Sequence, residues 1–118
     1  MPRVYRYAVE VRNKSLLGEN LYSLLRENKV ALVLRDQPGA TIVEEVTANF
    51  VYIRWEGDRE KVTGTLGKVE VDRTEDVREW THRTRNLLDR QIEVFGYFSK
   101  YYSGYPPGDV KQFMSLLE

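Results

Sequence analysis

Glu10, Arg12, Asp36, Arg54 and Glu56 are the residues of this 118-residue chain whose types and spacing best suit chemistry. Each stands at or just beyond the end of a short apolar stretch: Tyr7-Ala-Val-Glu-Val-Arg12, Val30-Ala-Leu-Val-Leu34 ahead of Asp36, and Phe50-Val-Tyr-Ile-Arg-Trp-Glu-Gly57. A fourth stretch, Ile92-Glu-Val-Phe-Gly-Tyr-Phe-Ser99, runs into Lys100. A carboxylate at 10 or 36 can act as a general base. Guanidinium groups at 12 and 54 offer a rigid fork of donors to phosphate or carboxylate. The set suits an anionic or sugar-like ligand, with Glu56 or Lys100 assisting proton transfer and Gly57, Tyr97 and Ser99 beside them. A structural ion-pair network would use the same residue types, so that reading stays open.

Short apolar strands that finish in ionisable groups are how a parallel α/β sheet builds a site at its carboxyl ends. Residues 4–12 read as a strand. Ser15 offers an N-cap for a helix over about 16–28, with Leu17, Leu21, Leu24 and Leu25 at helical spacing. Val30–Leu34 is a continuous apolar run stopped by Asp36-Gln-Pro-Gly39, as in strands buried on both faces. A short connection, 40–49, leads to a strand over 50–56, and a glycine-bearing charged loop follows. Thr74-Glu75-Asp76 supplies a cap and first-turn acids for a helix to about residue 90, striped by Val77, Trp80, Thr81, Thr84, Leu87 and Leu88. A strand over 92–98, a loop over 101–108 and a helix entered through Pro106 and Pro107, striped by Val110, Phe113, Met114 and Leu117, complete the order.

The expected fold is therefore α/β, a parallel sheet of about four βα units with right-handed crossovers, in a single domain over 1–118. Strand alternation puts Ala8, Glu10 and Arg12 on one face, with Leu32, Leu34 and Asp36; Tyr52, Arg54 and Glu56; and Phe95, Tyr97 and Ser99. Val51, Ile53 and Trp55 face the other way, toward the helices.

Composition narrows the function classes. Lys plus Arg and Asp plus Glu each total 18, so no net field draws the chain to nucleic acid or an anionic membrane. There is no Cys and a single His82, which excludes thiol chemistry and conventional zinc ligation. No cofactor is expected; at most a weakly held hard cation would sit on Glu10 and Asp36, since only oxygen ligands remain. No apolar run reaches the length of a membrane span or signal core, and a cytoplasmic protein is expected.

Weaker signals are better explained as structure. Gly64-Thr-Leu-Gly-Lys68 lacks the first Gly and the Ser/Thr of a phosphate loop, and His82 lies off its helix's apolar stripe. Tyr101, Tyr102 and Tyr105, with Lys61, Lys68, Arg73, Arg83, Arg85 and Arg90, are the only hint of nucleic-acid processing.

Arg6-Tyr-Ala-Val-Glu-Val-Arg12, Ala31-Leu-Val-Leu-Arg-Asp36, Phe50-Val-Tyr-Ile-Arg-Trp-Glu-Gly57 and Gly96-Tyr-Phe with Gly104-Tyr-Pro together resemble the YecE-like family, a domain of unknown function with a TIM-barrel fold. The resemblance covers nearly the whole chain but only the family's C-terminal half. It implies half of a (β/α)8 barrel, with Glu10, Arg12, Asp36, Arg54 and Gly57 matching positions that line the family's presumed site. Glu56 stands where many members have His, and Ser99 and Lys100 where Asn is common. An enzyme or enzyme remnant is one expectation; a non-catalytic assembly module is another. An open four-stranded sheet also leads us to expect self-association as a homodimer, or a separate N-terminal half-barrel as partner.

Overall fold

A computed structural model describes residues 6–36 and 44–118. Four strands, β1 (Ala8–Val9), β2 (Ala31–Asp36), β3 (Phe50–Trp55) and β4 (Glu93–Phe98), form one sheet in that order, every pair parallel. Helix α1 (Glu19–Glu27) follows β1, α2 (Thr74–Asp89) lies between β3 and β4, and α3 (Pro106–Leu117) follows β4. This is the expected α/β topology. The Gln37–Gly39 stop signal and the start of the 40–49 connection lie outside the described residues.

Local chemistry moves some boundaries. The Asn13 side chain, rather than Ser15, caps the chain after β1: it accepts from the Ser15 N–H at 3.0 Å and opens a 3-10 turn over Lys14–Leu16. The true helix starts only after Gly18. Thr74 is the first residue of α2, not its cap, and the Asp72 carboxylate takes both its N–H (2.9 Å) and its hydroxyl (2.6 Å).

One face of the sheet is packed. Leu34, Val51, Ile53, Trp55 and Phe98 are buried with Val77, Trp80 and Leu87 of α2 and Phe113 of α3. Trp55 centres this layer, stacked on Phe98 at 4.1 Å and edge-on to Trp80 at 5.9 Å, so aromatic packing dominates it. On α3 the expected stripe is only half used: Phe113 is buried, whereas Val110 and Met114 are 49% and 52% exposed. The helix lies against α2 and β4 at the end of an open sheet, and nothing among the described residues covers its outer side.

The register corrects one expectation directly. Leu34 pairs with Ile53, Arg35 with Arg54 and Asp36 with Trp55, so Leu32, Leu34 and Asp36 belong to the helix-covered face. Arg35, not Asp36, shares the open face with Glu10, Arg54 and Glu56. A strand apolar on both sides carries no alternation to fix its phase, and the phase assumed for β2 was off by one residue. Tyr102, one of the loop tyrosines whose better explanation was structural, is buried in the helix layer as well.

Where β3 ends, Gly57 takes φ +76°, and a Cβ there would lie 2.1 Å from the Tyr101 carbonyl oxygen. Gly67 has a similar φ, +66°, but open space around it. Gly57→Ala is therefore expected to lower the unfolding free energy by about 2–4 kcal/mol and Gly67→Ala by about 1 kcal/mol, since only the first adds a backbone clash to the strain of positive φ. Urea titration of the two variants checks this; equal losses would contradict it.

Candidate functional site

On the open face, side chains from separate strands converge near the carboxyl ends. Glu10, just past β1, accepts a hydrogen bond from Arg54 of β3, a contact that passes over β2. Its second oxygen pairs with Arg12 at 2.8 Å. Arg35 of β2 donates through Nε to Glu56 at 3.0 Å and stands 3.9 Å from Glu10, while Arg54 is 3.5 Å from Glu56. The side chains of Glu10, Arg35 and Glu56 are only 17%, 13% and 16% exposed, so these charges face one another largely out of water. Arg12 is the exposed member.

The same convergence recurs at the other end of the face. Arg6, ahead of β1, reaches Glu93 at the start of β4 and lies over the rings of Phe50 and Phe95 at 5.4 and 5.9 Å. Neighbouring strands are about 4.8 Å apart, so a pair joining β1 to β4 spans roughly 14 Å of a flat sheet and is favoured by a sheet that curls toward this face.

The arrangement sets the protonation chemistry. Burial alone would raise the Glu10 carboxyl, but the Arg54 hydrogen bond and the charges of Arg54, Arg12 and Arg35 outweigh it and hold Glu10 below its ordinary value of 4.5. The Glu10 hydrogen bond in turn keeps Arg54 charged. A carboxylate held so firmly as an anion is a weak proton acceptor and a good anchor for guanidinium groups.

Asp36 has a different environment. Its Oδ2 accepts from Trp80 Nε1 at 2.8 Å, and its backbone carbonyl accepts from Glu56 N–H at 2.9 Å and Gly57 N–H at 3.3 Å. Burial pushes its carboxyl above the ordinary 3.8, opposed by the Trp80 bond and reinforced by Asp76. Burial and the field of Asp36 raise the pKa of the buried Tyr102 hydroxyl far above that of a free phenol. Asp36 thus joins β2, the exit of β3 and α2 from behind the sheet. It does not meet the cluster, and the expected pairing of Glu10 with Asp36 as two bases or as cation ligands is corrected accordingly.

The remaining expected residues are scattered around the rim. Tyr97 pairs in register with Arg54 and is exposed on the same face. Ser99 donates its N–H to the Trp55 carbonyl, which extends the β3–β4 ladder, and accepts the Tyr101 N–H on its hydroxyl, a turn contact. Lys100 lies 5.2 Å from the centre of the Tyr101 ring, which Arg59 also covers at 4.5 Å. Gly57 has the packing role given above. Arg35 was missed, although Leu34-Arg35-Asp36 and Ile53-Arg54-Trp55 share an apolar-Arg pattern whose alignment would have placed it beside Arg54.

The loop over 63–68 uses its donors internally: the Glu70 carboxylate accepts the N–H groups of Thr63 and Gly64, each at 3.0 Å, where a phosphate loop would leave them free. The basic residues expected of a nucleic-acid surface are also partly engaged. Arg73 donates to the Tyr102 carbonyl, Arg83 to Glu79, and Arg85 to the last carbonyls of α3. Among the described residues no group of three or more His, Cys, Asp or Glu is arranged to hold a metal, and no helix is long and apolar enough to cross a membrane.

The family described as "Protein of unknown function DUF72" matches residues 1–118. Two solved structures are similar in fold. A DUF72 family protein from Thermotoga maritima MSB8 is 23% identical with a TM-score of 0.78, covering 97% of this chain and 46% of its own. One from Enterococcus faecalis V583 is 20% identical with a TM-score of 0.76, covering 98% of this chain and 49% of its own. The chain thus spans about half the length of the structures it matches. No curated protein matches.

The two carboxyls predict opposite pH signatures. Glu10, lowered in the fold, contributes stability that is present above pH 4.5 and lost as pH falls through its folded pKa, so Glu10→Gln should cost about 2 kcal/mol at pH 7 and progressively less in acid. Asp36, raised in the fold, binds its proton more tightly than the unfolded chain does, so its contribution declines as pH rises from 3.8 through its folded pKa. Asp36→Asn keeps an oxygen for Trp80 and should be neutral or stabilising at pH 7, with that benefit fading below pH 4. Denaturant titrations at pH 3.5, 5 and 7, values on the order of those reference pKa values, check both signs.

Proposed function

The chain belongs to the DUF72 family, and on that premise we propose that it is the C-terminal half of a (β/α)8 barrel whose open sheet face binds a small polar anion, such as a phosphorylated or carboxylated sugar-like metabolite, at the carboxyl ends of its strands. The observation that carries the reading is the convergence of three guanidinium groups, Arg12, Arg35 and Arg54, on only two carboxylates, Glu10 and Glu56. The surplus positive charge and the N–H donors of the guanidinium forks that take no partner among the described residues suit an added anion. The position supports it too, because ligands of parallel α/β proteins gather beyond the carboxyl ends of the strands.

Binding is better supported than catalysis. Glu10 is held as a weak base, Asp36 is turned away, and Glu56 is engaged by Arg35 and Arg54. A second reading, a non-catalytic assembly unit whose charges fix packing, is favoured by the fact that each of the five charged groups already has an ion-pair partner within the chain. Fold likeness alone does not choose a reaction.

Calorimetric titration with inorganic phosphate and a panel of sugar phosphates and carboxylates separates the readings. The anion site predicts saturable binding that Arg54→Ala weakens at least ~10-fold, with Arg54→Lys between, because the charge survives and the fork does not. Under the assembly reading Arg54→Ala lowers stability and no ligand of the panel binds the parent protein.

A further inference from the structure

The two edges of this sheet are unpaired among the described residues, and each carries apolar surface. On β4, the N–H groups of Glu93 and Ser99 donate to β3, which by alternation turns the backbone of Val94, Gly96 and Phe98 outward along the free edge. Beside that edge, on the helix side of the sheet, lies a groove of about 530 Å³ walled by Val94, Leu88, Val110, Met114 and Leu117, with Gly96 at its floor. Its mouth is lined by exposed apolar side chains, Leu88, Val110 and Met114.

The opposite edge has the matching features. The Tyr7 carbonyl accepts from Ala31 N–H, so residues 7 and 9 face β2 and the backbone of Ala8 and Glu10 faces outward. Val9 pairs with Leu32, and its side chain therefore belongs to the helix side of the sheet. Val9 is 40% exposed and Tyr7, two residues before it on that side, 50% exposed; Leu24 on α1 is also exposed. One end of the sheet thus presents an apolar groove beside a free parallel edge. The other presents a free edge with apolar side chains on the corresponding side.

We propose that the β4 edge and its groove receive the β1 edge of a second copy of this chain, each copy supplying β1 to the other in a closed two-fold pair of eight parallel strands. Tyr7 and Val9 of the second copy fill the groove between β4 and α3, and its Leu24 lies toward Val110 and Met114. Two copies amount to about the length of the solved structures, each of which this chain covers to about half. The balanced charge of the chain, 18 basic against 18 acidic side chains, opposes no such pairing. A closed pair also removes both exposed edges at once. The inference rests on the half-barrel part of the reading above and is independent of the anion site.

Sedimentation of the chain at about 50 μM should give twice the mass of one 13.9 kDa chain, with dissociation on dilution. Hydrogen exchange should show the amides of Val94, Gly96 and Phe98 protected more strongly as concentration rises. The double variant Val110→Asp with Met114→Glu, both at exposed positions, should keep the helical circular dichroism of the parent, raise the dissociation constant at least ~10-fold, and lose the added protection. A folded monomer at 50 μM, a dimer indifferent to the double variant, or β4 protection that ignores concentration would overturn the pairing, as would a stable complex with an unlike chain on this edge. A folded monomer that still binds phosphate would remove the dimer and leave the anion site standing.

Discussion

The ion pair between Glu10 and Arg54 holds the open face of this protein together. It joins side chains two strands apart, so it forms only when β1, β2 and β3 keep their register and the face between them draws its side chains inward. Arg35, in register beside Arg54, is carried into the same knot and brings Glu56 with it. Removing Glu10 would leave the partly buried Arg54 with only the 3.5 Å contact to Glu56, a loss larger than an exposed pair would produce. The site's electrostatics and the anion binding proposed for it therefore share one physical origin.

The packed face makes that knot rigid. Trp55 lies one residue beyond Arg54 and points the other way, into a stack with Phe98 and an edge contact with Trp80. Trp80 in turn donates to Asp36, the neighbour of Arg35. Arg35 and Arg54 are thus each followed in sequence by a residue anchored behind the sheet, and the strict alternation of the strand transmits that anchoring to the open side. A Cβ on Gly96 would lie 2.5 Å from the Trp55 ring, so the edge strand is also fitted to this aromatic layer.

Much of this was legible in the sequence, for identifiable reasons. The order of strands and helices followed from apolar runs and from the stripe Val77, Trp80, Thr81, Thr84, Leu87 and Leu88, all buried except Leu88 at the groove beside β4. Arg54 and Glu56 were placed on one face because β3 alternates from Val51 onward, and Glu10 because Ala8-Val9-Glu10-Val11-Arg12 does the same. Arg35 and Asp36 were exchanged because β2 is apolar on both faces until its last two residues, and only pairing with β3 fixes its phase. Val110 and Met114 looked like core because helical spacing reports an apolar stripe without saying what covers it. The burial of Tyr102 was not legible because a loop tyrosine in sequence carries no sign that the chain folds back under the sheet.

The central claim is that the knot of guanidinium and carboxylate groups accepts an anion as well as fixing the sheet. Nuclear magnetic resonance of the arginine Nε–H groups during a phosphate titration tests it most directly, because it reads each side chain separately. The account predicts saturable shifts at Arg35, Arg54 and Arg12 with one common affinity, while Arg78, paired with Glu75 on the outer surface of α2, moves only with ionic strength. Shifts that are uniform across all arginines, or absent at Arg35 and Arg54, would contradict it and leave the knot a purely structural device.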